Sequence, residues 1–443
     1  MKIGYISADF GVPIFGHKGA STHVREMVNA FRRLGHEVFI VSPAMHIGKG
    51  EAFALKKGLN ELASIPAPFF KLFEYPQGRQ DNTGGLFFLQ VPQAALRARM
   101  LAELDKWDHL RGKKSRVKPE LRNQLYNLTL FESALAFFRR HTIDFIYERY
   151  ALFGMAGIRI ARELKIPHIL EINAPLADEQ QRWRGLEMRE LARTTEREIL
   201  CSTDRVLAVS NALKEFALSC NAPAERVAVL PNAVDPERFC AQIDGAEVRS
   251  RLSLEQKCVI GFIGSLKPWH GLESLLLAFA RLHASHPHTH LLIVGDGPMR
   301  ELLQANAVKN GLAETVTFTG NVHHCDVPRY LAAMDIALAP FVPMEQFYFS
   351  PLKIFEYMAM AKPVVAAQIG QVQEIIKEGE TGKLFAPGDV DDLLRVVTQL
   401  VEDANSRKKL GQRAREWILA GHTWDHNARQ VVQIVSYLMA AHE

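Results

Sequence analysis

The feature of this sequence that most constrains its fold is an alternation of short apolar segments with longer amphipathic segments. Residues 3–7 form an apolar segment, and a loop that contains glycines follows at residues 11–19. Residues 24–34 then place apolar side chains at the i, i+3, i+4, i+7 spacing of a helix with one buried face. Gly35 ends this helix, and residues 37–41 form the next apolar segment. The pattern predicts a strand, a loop, a helix and a second strand.

The same alternation continues and later begins again. In the first half of the chain, further strands are predicted at residues 145–147, 169–172, 205–208 and 226–230. In the second half, strands are predicted at residues 259–263, 290–294, 315–318, 336–339 and 364–366. Strands that alternate with helices favour parallel sheets covered by helices on both faces. We therefore expect an α/β protein with two Rossmann-like, doubly wound parallel-sheet domains.

The break between the two runs suggests a domain boundary near residue 242. We expect an N-terminal domain at residues 1–242, a C-terminal domain at residues 243–424, and a final helix at residues 425–443 that packs on either domain. Residues from about 49 to 118 fit the alternation least, and the basic insertion is expected at about 68–120. We interpret them as long loops with a basic helical insertion.

Composition limits the class of protein. The chain has 443 residues, of which 48% are apolar and 23% charged, as in soluble globular proteins. Its five cysteines form no CxxC pair, which argues for reduced thiols and against a zinc site or a disulfide framework. No apolar run approaches the roughly 20 residues needed to span a bilayer. Because the chain opens with a strand, we expect no signal peptide and a cytoplasmic location.

The modest net charge of +4 is unevenly distributed. The segment from Lys106 to Lys118 carries six Lys or Arg residues and one Asp. One interpretation is a peripheral contact with the anionic inner face of a membrane, where each nearby basic residue contributes about 1 kcal/mol. The other is a solvated loop, and the sequence favours neither.

A second informative segment is a loop that opens a helix near Ser350. Ser350 suits the N-cap position and Pro351 the first helical position. Lys353 adds a positive charge within the first turn, and Glu356 lies three residues later on the same face. A helix N-terminus, a lysine and a carboxylate suit a phosphorylated ribose. The alternative is an ordinary capped helix with a solvated Lys/Glu pair.

Three further loops follow predicted strands, where doubly wound sheets bind ligands. The loop at residues 16–21 carries two glycines, which allow backbone to approach an anion closely. The loop at residues 264–271 places a lysine, a tryptophan and a histidine between two glycines. The loop at residues 295–298 is a tight turn. Asp389 reads as a helix N-cap and His323–His324 as a weak metal site, so we expect no metal centre.

These motifs together resemble the family 4 glycosyltransferases (glycosyl transferases group 1) of the two-domain GT-B fold. The resemblance covers nearly the whole chain, and the order and spacing of its landmarks are highly specific. The landmarks are the first glycine loop with residues 35–38, then residues 208–211, 229–235, 264–271, 294–298, 316–320, 350–361 and 363–365.

The resemblance implies two domains that face a deep cleft and retaining transfer of a sugar from a UDP- or GDP-linked donor. The second domain would bind the donor, and the first would bind a glycan, lipid-linked or small-molecule acceptor. By matching position, Glu356 would bind the ribose. The remaining donor-binding residues would be Gly19, Ser265, Gly295, Asn321, Val322, Ser350, Pro351 and Leu352. Arg149, Glu171 and Asn173 would contact the acceptor or the donor sugar.

The sequence departs from the family pattern in two places. The family usually carries two glutamates seven residues apart, and here the first position is Tyr348. It also usually carries an arginine and a lysine on the diphosphate loop, where this chain has Ser265 and His270. We therefore expect Lys267 and Lys353 to stabilise the leaving diphosphate. His270 would join them only if the diphosphate raises its pKa.

The expected chemistry is electrostatic, with no cofactor and no divalent metal. The same fold also serves nucleotide-sugar 2-epimerases, and a donor-binding protein without transfer activity is a further alternative, motivated by Tyr348, Ser265 and His270. For the pair Glu148–Arg149, a structural ion pair is as well supported as a role for Arg149 in binding. No nucleic-acid partner is expected.

Overall fold

A computed structural model of the chain describes residues 1–16, 18–44, 71–74, 85–91, 93–112 and 114–441. His17 of the first glycine loop and part of the expected insertion at about 68–120 lie outside this range. The described residues form two compact units. Unit 1 comprises Met1–Pro231 and Trp424–Glu443, and unit 2 comprises Asn232–Thr423.

The strands of unit 1 are β1 Lys2–Ser7, β2 Glu37–Ser42, β3 Lys71–Glu74, β4 Leu86–Gln90, β5 Phe145–Arg149, β6 His168–Ile172, β7 Arg205–Ala208 and β8 Val227–Val229. They form one sheet in the order β3-β4-β2-β1-β5-β6-β7-β8. Every neighbouring pair is parallel except β3 and β4. Because the order reverses between β1 and β5, the ligand-binding switch point of this sheet lies between their carboxyl ends.

Strand β4 corrects one expectation. Residues 86–90 were expected in long loops, and that expectation was wrong, because they pair in parallel with β2. Four consecutive apolar residues open this segment. A parallel strand that is covered on both faces shows no apolar/polar alternation, so the usual strand signal is missing.

The helices of unit 1 are α1 Gly19–Arg33, α2 Ala95–Arg111, α3 Val117–His141, α4 Ala156–Leu164, α5 Leu176–Trp183, α6 Arg189–Ser202 and α7 Asn211–Ser219. A short 3-10 turn occupies Ala224–Arg226. The central strands are apolar and buried because helices cover them. Ile3, Tyr5 and Ile6 of β1, for example, are inaccessible to solvent.

The strands of unit 2 are β9 Cys258–Ile263, β10 Thr289–Val294, β11 Val316–Phe318, β12 Ile336–Ala339, β13 Val364–Ala367 and β14 Lys383–Phe385. They form an all-parallel sheet in the order β11-β10-β9-β12-β13-β14. The expected strands of this half are confirmed to within a residue or two. The order reverses between β9 and β12, which puts the second switch point at the ends of these strands.

The helices of unit 2 are α8 Ala246–Arg251, α9 Leu272–Ser285, α10 Arg300–Lys309, α11 Val327–Ala332, α12 Leu352–Ala359, α13 Val372–Ile375, α14 Val390–Glu402 and α15 Ala404–Gly421. A 3-10 turn at Pro268–His270 precedes α9. The final helix, α16, is Trp424–Ala440. None of the helices in the described part of the chain is long and apolar enough to cross a bilayer.

Helix α16 belongs to unit 1, which answers a question that the sequence left open. It packs on α1, where the ring of Trp424 lies 4.9 Å from that of His23 and Arg33 pairs with Asp425 at 2.6 Å. The chain passes into unit 2 after Pro231, earlier than the expected boundary near residue 242. The difference arises because residues 232–242 contact unit 2: the Val234 amide, for example, donates to the His422 carbonyl oxygen.

Candidate functional site

The loop that follows β9 lies at the switch point of unit 2 and is fixed to the loop that follows β10. The Gly264 amide donates to the Val294 carbonyl oxygen, and the Leu266 amide donates to that of Asp296. A Cβ at Gly295 would lie 2.0 Å from the Gly264 carbonyl oxygen. Gly295 is therefore a glycine because backbone meets backbone there, and the two loops form one rigid surface.

His270 lies near the end of the loop after β9 and holds that loop in place through a hydrogen bond. Its side chain is buried beside Phe262 and Phe341, and its Nδ1 lies 2.5 Å from the Ser265 carbonyl oxygen. A carbonyl only accepts hydrogen bonds, so Nδ1 carries the proton. Burial, and then the charge of Lys353, lower the pKa of His270 to about 2. This arrangement argues against His270 as a source of positive charge.

The start of α12 differs from the expected capped helix. Ser350 was expected at the N-cap, and that expectation was wrong: the helix begins at Leu352, and Pro351 occupies the cap position without a side-chain hydrogen bond. The Ser350 hydroxyl instead accepts from the Asn232 amide at 2.9 Å. The Asn232 side chain in turn donates to the Ser350 carbonyl oxygen at 2.5 Å. Asn232 thus holds the approach to α12, a role that sequence reasoning missed although its Pro-Asn motif was noted.

Lys353 is the most unusual charge in this region. Its Nζ is buried and has no hydrogen-bond partner among the described residues. It lies 4.0 Å from the centroid of the Phe262 ring, and a Cβ on Gly264 would come within 2.7 Å of it. Burial lowers the pKa of Lys353 to about 7, although the negative charge of Glu356 acts in the opposite direction. The amine is therefore held against the loop after β9 without a hydrogen bond to an anion in the described structure.

Lys267 lies near the same group. Its Nζ is 5.9 Å from the centroid of the Trp269 ring, and its charge, like that of Lys353, lowers the pKa of His270. Ser265, on the same loop, is exposed. The structure thus places Lys267, Lys353 and His270 around the carboxyl end of β9.

Glu356 lies one turn after Lys353 on α12, and its side chain is 12% exposed. One of its oxygens is 3.7 Å from Nε2 of His324. Nδ1 of His324 faces the guanidinium of Arg238, which can only donate, so Nδ1 accepts and the proton lies on Nε2, toward Glu356. From the sequence, His324 was interpreted only as part of a weak metal site. No local sequence pattern around His324 indicates its contact with Glu356.

The remaining predicted donor residues lie on loops of unit 2. Asn321 is exposed directly after the turn at Gly320, and Val322 is half-buried against the core. The Gly295 amide donates to the Gly320 carbonyl oxygen, which joins their loop to the others. Pro351 is buried and Leu352 half-buried at the start of α12.

In unit 1, Glu171 is the centre of a buried polar cluster at the carboxyl end of β6. It is 2% exposed and accepts hydrogen bonds from the Tyr147 hydroxyl, from His23 at 2.7 Å, from Arg149 at 3.2 Å and from Asn173. Burial would raise the pKa of Glu171, but the neighbouring His23 and Arg149 hold it at about 2. Four donors fill the acceptor positions of this carboxylate.

Arg149 and Glu148 have different partners. The alternative of a Glu148–Arg149 ion pair is not what the structure contains, because adjacent strand residues point to opposite faces. Glu148 instead contacts His168 at 2.9 Å, and Arg149 contacts Glu171. Gly19 is exposed at the first residue of α1. In the described ranges, no group of three or more His, Cys, Asp or Glu residues could hold a metal ion.

Comparison with known families gives matches in both units. The family model described as "Glycosyl transferase 4-like domain" matches residues 18–233, and the model described as "Glycosyl transferases group 1" matches residues 257–403.

Relatives of known name are similar over part of the chain. A GDP-mannose-dependent alpha-(1-6)-phosphatidylinositol monomannoside mannosyltransferase from Mycolicibacterium smegmatis is 30% identical over 259 residues, which is 57% of this chain and 67% of the relative. A 2-deoxystreptamine glucosyltransferase from Streptomyces kanamyceticus is 31% identical over 199 residues, 44% of this chain and 50% of the relative. The alignments thus span about two thirds or less of these relatives.

Solved structures match almost the whole chain. HepE from Anabaena, crystallised with UDP, superposes with a TM-score of 0.67 at 20% identity and covers 99% of this chain and 100% of its own. Sucrose-phosphate synthase from Thermosynechococcus elongatus gives a TM-score of 0.68 at 19% identity, with 99% of each chain covered. The chain therefore belongs to the group 1 glycosyltransferases, nucleotide-sugar-dependent transferases of the GT-B fold.

Proposed function

We propose that this protein transfers a sugar, with retention of configuration and without a divalent metal, from a nucleotide-sugar to a hydroxyl group of an acceptor. The observation that carries the proposal is the unpartnered, buried amine of Lys353 beside the loop after β9. A buried ammonium without a counter-ion is costly, and a diphosphate oxygen would supply the missing partner.

The proposed reaction breaks the bond between the sugar C1 and the β-phosphate oxygen and forms a bond from C1 to the acceptor oxygen. The acceptor proton passes to an oxygen of the leaving phosphate. Lys267, Lys353 and the N-terminus of α12 stabilise the charge that grows on the diphosphate. Because these charges are fixed in the protein, no divalent cation is needed to neutralise the leaving group.

The donor nucleoside would lie against the loops of unit 2. Glu356 would accept hydrogen bonds from ribose hydroxyls, and Asn321 and Val322 would flank the base. The relatives named above include a GDP-mannose-dependent enzyme and a structure with bound UDP, so both nucleotides belong in the assay. Pro351, Leu352, Ser265 and Gly295 would shape the diphosphate site.

Unit 1 would supply the acceptor side, and Gly19 remains a proposed donor-binding residue. Arg149 and Asn173 are proposed as the residues that contact sugar hydroxyls. Glu171 is proposed to position these two side chains and not to touch the ligand itself, since its own acceptor positions are filled.

We also propose a lipid-linked acceptor and peripheral contact with an anionic membrane through α2. Leu96, Met100, Trp107 and Leu110 are each more than half exposed and lie within one narrow stripe of this helix at 100° per residue. Basic side chains of the same helix flank the stripe. Glu103 also lies within the stripe, so the proposed membrane contact rests on the exposed apolar side chains together with the basic ones that flank them.

The proposal is tested with the purified full chain and a panel of UDP-glucose, UDP-galactose and GDP-mannose, with and without EDTA. We expect release of nucleoside diphosphate from one donor, equal rates with EDTA, and an NMR-assigned product with the donor's anomeric configuration. Replacing Lys267 by Ala should lower turnover about 100-fold with unchanged circular dichroism. Lys309→Ala, at an exposed lysine of α10, is the matched control.

Each alternative has its own outcome in this assay. Formation of an epimer without transfer would indicate an epimerase, and donor binding without turnover would indicate a binding protein. Loss of activity with EDTA, restored by magnesium, would contradict the electrostatic mechanism. Inversion of the anomeric centre would contradict retention.

A further inference from the structure

Unit 1 contains a cavity of about 180 Å³ at the switch point of its own sheet. Ala8 and Asp9, which follow β1, and Ala151 and Leu152, which follow β5, line one side. The other walls come from the first turns of α3 and from one face of α5. In doubly wound sheets this is the position where ligands bind, and none of the residues discussed above as site residues lines it.

The cavity is rich in arginine. Arg116 comes directly before α3, Arg122 lies in its second turn, and Arg184 directly follows α5. All three arginines line the same space of about 180 Å³. Arginine presents a rigid fork of donors that fits carboxylate and phosphate oxygens.

Three carboxylates share the cavity with the arginines, and two of them accept hydrogen bonds from backbone amides. Both carboxylate oxygens of Glu120 accept backbone hydrogen bonds, from Glu187 at 2.9 Å and from Met188 at 2.7 Å. Asp9 accepts from the Gly11 amide at 2.7 Å. These two carboxylates fix loops through backbone hydrogen bonds, and Glu179 is the third carboxylate in the lining of the cavity.

Arg116 in particular has one buried nitrogen, Nε, without a hydrogen-bond partner among the described residues. Its charge also acts on Arg122, because burial first and then the repulsion by Arg116 lower the pKa of Arg122, against the attraction of Asp9. A like charge disfavours the protonated form of its neighbour, and an anion bound between the two guanidinium groups would relieve this repulsion.

We propose that this cavity binds a phosphate group, and that the acceptor of the transfer carries that phosphate. The second clause rests on the function proposed above; the first does not. Arg116 and Arg122 would each donate to the phosphate oxygens, and Arg184 would close the site from α5. The phosphate would orient the acceptor and leave its hydroxyl groups to other residues.

The first test locates the anion without any enzyme activity. Crystals of the full chain are soaked in tungstate, a phosphate analogue that is visible by anomalous scattering. We expect a peak between Arg116 and Arg122, and its absence in Arg116→Gln crystals. A peak only at the loop after β9 of unit 2, or a cavity peak unchanged by Arg116→Gln, would overturn the proposal.

The second test measures affinity for inorganic phosphate by titration. Arg116→Gln should weaken the cavity component at least tenfold, and Arg116→Lys should weaken it less, because lysine keeps the charge but loses the fork. Arg139→Gln, at an exposed arginine near the other end of α3, is the control and should have no effect. Equal affinities for the wild type and Arg116→Gln would contradict the proposal.

Two sources of the phosphate are distinguished by competition against tungstate in solution. Displacement by glycerol 1-phosphate identifies a soluble phosphate ester as sufficient. Displacement only by vesicles with phosphatidic acid identifies a lipid headgroup, and displacement by neither overturns the site. These measurements need no donor, so the phosphate site and the transfer reaction can fail independently.

Discussion

Lys353 is a buried charge that destabilises the folded chain and that the proposed donor would neutralise. Its amine lies over the ring of Phe262 and has no hydrogen-bond partner in the described structure. Removing a charge from water without a counter-ion is unfavourable, so the folded chain holds this proton weakly. The lowered pKa of Lys353, about 7, reflects this destabilisation of the charged amine. An anion bound next to the amine would stabilise its charged form.

The first prediction is a pH dependence of donor binding. Anion binding favours protonated Lys353, so affinity for the nucleotide-sugar should be constant below pH 7 and fall by up to about tenfold per unit above it. Nucleotide-sugars suit the measurement because their diphosphate diester does not titrate in this range. Isothermal titration between pH 6 and 9 would show the slope, and Lys353→Met should remove it. A slope that persists in Lys353→Met would assign the effect to another group.

The same pKa predicts the sign of a stability effect in the absence of ligand. Between pH 7 and about 10.5 the unfolded chain keeps the Lys353 proton while the folded chain loses it. Unfolding therefore takes up a proton, and this lysine makes the folded state more stable as the pH rises through that window.

The roles of some residues could be predicted from the sequence, and those of others could not, depending on whether their partners are close in the chain. Lys353 and Glu356 could be paired because helical spacing places them on one side of α12. Ser350 was misassigned because its partner is Asn232, 118 residues away in the chain. His270 was expected to carry charge in some states, but its burial depends on the packing of Phe262 and Phe341, which local sequence does not report.

At the scale of elements, the strand–loop–helix units of unit 2 act together because their loops touch. The contact between Gly295 and Gly264 requires the absence of a side chain, whereas Gly311 also has a positive φ, of 71°, but nothing within 4 Å of its would-be Cβ. A side chain at position 311 would therefore strain only the backbone. A side chain at position 295 would strain the backbone and also clash with the neighbouring loop.

The second prediction compares these two glycines. Gly311→Ala should lower the free energy of unfolding by about 1 kcal/mol, the usual cost of a left-handed residue with a side chain. Gly295→Ala should cost at least twice as much, because its Cβ would lie 2.0 Å from a carbonyl oxygen. It should also weaken nucleotide-sugar binding, which Gly311→Ala should leave unchanged. Chemical denaturation and titration measure both, and equal losses would show that the loops are not rigidly joined.

Most elements could be predicted because alternation and periodicity are local. The predicted strand at residues 259–263 corresponds to Cys258–Ile263, for instance. Strand β4 was missed because a strand that is buried on both faces has no period-two signal. The cavity between α3 and α5 was also out of reach, since it depends on which faces of two helices are brought together.

At the scale of the whole molecule, the chain leaves unit 1 after Pro231 and returns at Trp424. The pattern of α16 indicates that one face is buried, but not against which surface. Contacts with α1 decide it, among them the Arg33–Asp425 pair and the ring contact of His23 with Trp424. Unit 1 is thus completed by a helix that follows unit 2 in the sequence. The order of the elements along the chain does not indicate this.

The third prediction concerns where the whole molecule resides. The net charge of +4 is small, so attraction to an anionic surface must come from a local feature, and α2 offers one. Part of its charge is already paired, since Lys106 contacts Glu103 at 2.8 Å and Lys118 contacts Asp105. The exposed apolar stripe should therefore contribute more to binding than the basic residues do.

We expect the full chain to float with vesicles that contain anionic lipid, and a variant with Trp107→Ser and Leu110→Ser to lose most of this binding. These side chains are 66% and 84% exposed, so the double variant should fold normally, and thermal unfolding would verify it. Leu191→Ser, at a leucine that is 46% exposed on α6, is the control for a general loss of apolar surface. Binding that resists the double variant but disappears in high salt would show that charge alone attaches the protein, because salt screens charges and leaves apolar burial intact.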